Sequence, residues 1–94
     1  MYSSYDYSVR AGTAPDAYGA TILFTFASRI LEISALDQSI DLQLLKSDGT
    51  LGDQITYDPS AMAFPYQIPF KALGFVVKNT LPGVTGRYQL IAWL

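Results

Sequence analysis

Carboxylates are the most versatile chemical groups on this chain, because it carries eight of them and neither histidine nor cysteine. Asp37 with Asp41, and Asp48 with Asp53, stand close enough in sequence to share a site. General acid–base catalysis asks for a carboxyl of raised pKa inside a cleft. These acids instead sit beside Gly, Ser and Thr in turn contexts, where a carboxylate accepts local N–H groups and caps the turn. The stretch Ser47–Asp53 offers oxygens and glycines to calcium, but it lacks the Asp-x-Asp-x-Asp-Gly spacing and the closing bidentate Glu of an EF-hand loop. An ordinary hairpin loop is expected there, a site completed by a neighbouring subunit being the alternative. Serine has no imidazole to activate it and no Ser-x-x-Lys pattern, and Gly83 and Gly86 punctuate a turn rather than cradle a phosphate. No catalytic residue, metal ligand or cofactor is therefore assigned, and the chain is expected not to be an enzyme.

Aromatic side chains offer recognition instead of reaction. Phe64, Tyr66, Phe70 and Trp93 could line a platform on which a sugar ring stacks. Trp93, in an alternating strand, reads equally as a core or subunit contact. Tyr2, Tyr5, Tyr7 and Tyr18 lie among Ser, Gly, Ala, Thr and Asp, with no aliphatic periodicity to draw them into a core. Tyrosine brings a large contact area with few torsions to freeze, so these four are expected at an interface.

Residues 1–19 accordingly read as an extended tyrosine-rich arm, poorly ordered alone, ahead of a domain at 20–94. From Thr21 onward, short apolar segments alternate with turn residues. Strands are expected at Thr21–Phe26, Arg29–Ser34, Ser39–Leu45, Gln54–Tyr57, Tyr66–Phe70, Gly74–Lys78 and Arg87–Leu94. Ile40, Leu42 and Leu44 should face inward against Asp41 and Gln43. Lys46-Ser47-Asp48-Gly49, Asp58-Pro59 and Pro82-Gly83 mark turns. Pro65 and Pro69 confine their strand to a sheet edge. About seven strands, starting roughly 8–12 residues apart, predict an all-β antiparallel β-sandwich, jelly-roll-like, with no helix.

Ninety-four residues suffice for one domain. Charged residues make up 15% of the chain, against roughly 25% in ordinary globular proteins. A small body has much surface to cover, so part of it is expected to be hidden by another molecule. Six scattered Lys and Arg with a net charge of −2 argue against nucleic acid and anionic membranes as partners. No apolar run reaches the ~18 residues of a membrane helix. The N-terminus lacks a signal-peptide pattern, so assembly in a cytoplasm is expected.

Pro69–Asn79, passing through Pro82-Gly83-Val84-Thr85-Gly86 into Arg87–Trp93, resembles the closing strands of small β-sandwich structural proteins of tailed bacteriophages, the capsid decoration or cement class. Phe26–Ile33 fits the same pattern. The resemblance spans residues 21–94 and rests on strand rhythm and composition. It implies a virion protein that binds the major capsid protein or another virion component and stabilises the lattice as a trimer or dimer, assembled in the host cytoplasm. A carbohydrate- or receptor-binding module of a tail or fibre is the alternative. The chain departs from that class in showing no metal or receptor motif.

Overall fold

The computed structural model describes residues 7–35, 38–62, 66–81, 83 and 86–94. Eight strands follow in order: β1 (Tyr7–Ala14), β2 (Ile22–Ser28), β3 (Ile30–Ala35), β4 (Ile40–Leu45), β5 (Ile55–Tyr57), β6 (Tyr66–Ile68), β7 (Ala72–Asn79) and β8 (Gly86–Trp93). They build two four-stranded antiparallel sheets, sheet A in the order β1-β8-β3-β6 and sheet B in the order β2-β7-β4-β5. There is no helix among the described residues. The pairing is nested: β1 meets β8, β2 meets β7, β3 meets β6 and β4 meets β5.

Period-two alternation makes these segments strands, and burial shows which face each one hides. Leu31 and Ile33 of β3, Ile40, Leu42 and Leu44 of β4, Phe75 and Val77 of β7, and Tyr88, Leu90 and Ala92 of β8 join one core cluster between the sheets. Phe75 stacks on Phe24 within sheet B at 5.6 Å between ring centroids, and it meets the edge of Tyr88 of sheet A at 5.9 Å. Each fully buried aliphatic or phenyl side chain contributes about 1.5–3 kcal/mol. Two glycines are required by geometry. Gly49 turns the β4–β5 hairpin at φ 87°, a conformation that side chains resist. Gly74 lies so close to the Ile22 carbonyl of β2 that a Cβ there would collide with backbone.

Two expectations need correcting. The strand number is eight, not about seven, and the extra strand is β1. Residues 7–14 were expected to belong to a poorly ordered arm, but they run in unbroken register with β8, from Tyr7 opposite Trp93 to Ala14 opposite Gly86. The alternation that should announce β1 is missing because Ser8, Arg10 and Gly12 occupy its inward positions. At this margin of the molecule only Ala14 of β1 joins the core, and the side chains of Ser8 and Arg10 bridge to β2 instead. Ser8 and Thr25 share a hydroxyl hydrogen bond of 3.2 Å, and the Arg10 Nε–H donates to the Leu23 carbonyl at 3.1 Å.

Candidate functional site

The outer face of sheet A carries a continuous apolar row that a partner could use. Pairing sets Tyr7, Trp93 and Ile30 in one row across β1, β8 and β3, and Val9, Ile91, Glu32 and Gln67 in the next row across all four strands. Tyr7 and Trp93 have ring centroids 5.2 Å apart. Val9 is 39% exposed and Ile30 is 42% exposed, both high for large aliphatic side chains. Among the outward residues described on this face, Glu32 and Arg87 are the only charged ones. The face is thus apolar at the Tyr7–Trp93 end and polar at the other, through Thr13, Ser34, Arg87 and Gln89.

A shallow notch of about 270 Å³ opens in it, lined by Ile30, Glu32, Gln67 and Trp93. It exists because β6 stops at Ile68 and leaves the end of β3 uncovered. The Gln67 amide donates to the Glu32 carboxylate at 3.2 Å, which holds both groups on the rim of the notch.

The aromatic residues singled out in sequence separate in space. Trp93 points outward with Tyr7. Tyr66 sits opposite Ile33, packs against the core and meets Tyr57 at 6.2 Å, so it faces away from Trp93. Phe70 also packs inward. Tyr66 and Trp93 therefore cannot form one platform. Of the four arm tyrosines, Tyr7 is in β1, whereas Tyr18 lies over the opposite sheet and is already engaged within the chain. Its hydroxyl donates to Gln54 Oε1 at 2.8 Å, and Lys78 Nζ lies 5.4 Å from its ring centroid. Tyr2, Tyr5 and Phe64 lie outside the described residues. Val9, Ile30 and Ile91 escaped the sequence reading, yet a signal was there. Once Leu31, Ile33, Leu90 and Ala92 are inward, alternation forces Ile30, Ile91 and Trp93 outward.

The carboxylates also sort by environment. Asp48 accepts the Thr50 N–H at 3.0 Å and the Thr50 hydroxyl at 2.6 Å, and Asp58 does the same for Ser60 at 3.0 and 2.7 Å. Both are Asx-type turn caps, and these bonds hold their pKa values below the ordinary carboxylate range. Asp37 lies outside the described residues. Asp41 lies within β4 on the outer face of sheet B, as the alternation of that strand predicts, but it is only 3% exposed there instead of capping a turn. Lys78 of β7, directly opposite it, donates at 2.8 Å, and the Thr56 and Thr80 hydroxyls donate at 2.6 and 3.0 Å. Burial pushes the Asp41 pKa up, but the hydrogen bonds from Lys78, Thr56 and Thr80 outweigh it and leave a net lowering. Such a carboxylate is an ion-pair anchor, unsuited to giving or taking protons near neutrality. No group of three or more potential metal ligands occurs among the described residues.

No known protein family, curated protein or solved structure matches the chain.

Proposed function

We propose that the protein is a non-enzymatic assembly subunit that docks on a larger protein scaffold through the outer face of sheet A. The setting we propose is a virion, with the chain acting as a decoration or cement protein that bridges capsid subunits. The single observation carrying this is the apolar row Tyr7–Trp93–Ile30 beside Val9 and Ile91, with two charges among the described outward residues of the face. Apolar, aromatic-rich, charge-poor centres with polar rims mark protein interfaces. The nested strand pairing and the orders β1-β8-β3-β6 and β2-β7-β4-β5 support a jelly-roll winding, an architecture used by capsid and lectin domains. That parallel is one of architecture and carries no function by itself. The mechanism is contact area: a lattice repeats a modest contact many times, so the assembly holds more firmly than any one pair.

The test is cosedimentation from the native lysate. The wild-type chain is expected in the particle fraction, cross-linked through β1 and β8 to one repeated coat component. Trp93→Asp is expected to weaken that association at least about tenfold, equivalent to ~1.4 kcal/mol, while leaving the fold intact, because the side chain faces outward. Recovery of the wild-type chain solely as a small free species, or an undiminished association of Trp93→Asp, overturns the proposal.

The notch favours a second reading, a glycan- or receptor-binding module. The indole could stack on the C–H face of a pyranose, while the Glu32 carboxylate and the Gln67 amide meet its hydroxyls. Trp93 is the only tryptophan, so its fluorescence reports directly on the notch. Under this reading a glycan panel yields a saturable spectral change that Glu32→Ala abolishes. A flat response across the panel removes the second reading and leaves the first untouched.

A further inference from the structure

Each sheet ends in two edge strands, and three of these four edges carry devices that discourage pairing with another chain. β5 and β6 are three residues long, and the register of β2 with β7 shifts between Leu23 and Ser28. Short edges and irregular, twisted edges offer a poor template to an incoming strand. β1 differs. It is eight residues long, keeps unbroken register with β8, and contains neither proline nor lysine; its one charged side chain, Arg10, is folded onto the Val9 and Leu23 carbonyls. Val9, Ala11, Gly12 and Thr13 are exposed along it.

The Arg10 guanidinium shows which main-chain groups face outward. It donates to the Val9 carbonyl at 2.9 Å while reaching the Leu23 carbonyl of β2. The Val9 carbonyl is therefore turned away from β8, and by antiparallel alternation the N–H and C=O groups of Ala11 and Thr13 are too. A carbonyl has two lone pairs, so the contact with Arg10 leaves Val9 able to accept a second bond.

The geometry points to a second copy of this chain as the occupant of that edge, with β1 pairing antiparallel to β1 about a two-fold axis at Ala11. In this register Ala11 faces Ala11 of the second copy, Val9 faces Thr13 and Arg10 faces Gly12. Registers centred one residue earlier put the two Arg10 side chains opposite each other, and like charges directly opposite are destabilising. Centring on Ala11 sets each guanidinium against a residue with no side chain. The two four-stranded sheets then run on as one, and the outer faces that carry Tyr7, Val9 and Trp93 become a single surface. An isologous pair of this kind closes on itself and does not propagate into a fibre.

Sedimentation velocity on the full chain, from about 1 μM to about 1 mM, tests the seam. The wild-type protein is expected to shift with concentration from 10.3 kDa to twice that mass. Ala11→Lys and Ala11→Glu each place like charges face to face across the axis, so each alone is expected to weaken the dimer at least tenfold. Mixed in equal amounts, they are expected to restore it as a heterodimer, which two misfolded variants could not do. A wild-type mass of one chain at every concentration, full dimerisation of either variant alone, or no recovery on mixing overturns the inference. Trp93→Asp lies away from the axis, so loss of docking with the dimer intact, or the reverse, separates this seam from the sheet A docking face.

Discussion

Phe75→Ala is expected to destabilise the protein by about 3–5 kcal/mol, the largest loss of any single truncation in the core. Phe75 is fully buried in β7, the strand that holds β2 and β4 together in sheet B. Its ring is the contact through which Phe24 of one layer reaches Tyr88 of the other. Removing it deletes the transfer free energy of the phenyl group and leaves a cavity that two paired sheets cannot close without breaking register. A small domain has total stability near the low end of about 5–15 kcal/mol, so the variant should be close to unfolded at room temperature. Urea denaturation followed by far-ultraviolet circular dichroism checks this. A loss below about 1 kcal/mol would mean that the sheets are not packed through Phe75.

Asp41→Ala is expected to cost about 2–3 kcal/mol, more than loss of an exposed ion pair, which is worth at most about 1 kcal/mol. The substitution leaves the Thr56 and Thr80 hydroxyls without their acceptor in a covered site, and it strips Lys78 of its counter-charge. Lys78 is 25% exposed, so its ammonium can turn to water, which keeps the loss below that of an ion pair sealed in a core. Asp41→Asn keeps the shape and one acceptor and should lose less. The pH dependence has a definite sign. The folded pKa of Asp41 lies below its ordinary value, so its contribution is complete above about pH 4 and disappears as pH falls through the folded value. Lys78 is shifted upward, mainly by its hydrogen bond to Asp41, so its share is complete below about pH 10 and is lost as pH rises further. The wild-type melting temperature should therefore fall in acid more steeply than that of Asp41→Ala. Parallel curves for the two proteins would exclude the ion pair as a source of stability.

These particulars show what was legible along the chain. β3, β4 and β8 could be read because apolar side chains alternate along them, and a period of two survives in one dimension: Leu31 and Ile33, Ile40 to Leu44, Leu90 and Ala92. The turns were legible because Gly49, Pro59 and Gly83 impose local backbone constraints. β1 was not, since a strand on the margin needs no apolar alternation. Its identity comes from main-chain bonds to β8, some eighty residues later in the chain, and main-chain bonds leave little trace in side-chain pattern. The burial of Asp41 was hidden for a related reason. Its polarity suggested solvent, and only the register of β4 with β7 brings Lys78 opposite it.

The same division holds for the site. Composition alone determined that catalysis by imidazole or thiolate is closed to this chain, and its low share of charges is what motivates the proposal of a partner. Which surface to propose for it could be argued only from the tertiary structure. Pairing sets Tyr7 from one end of the chain beside Trp93 at the other and turns Tyr66 away from both. Hydrophobicity is a property of residues and can be counted in sequence. A docking face is a property of register, and register exists only once distant strands have met.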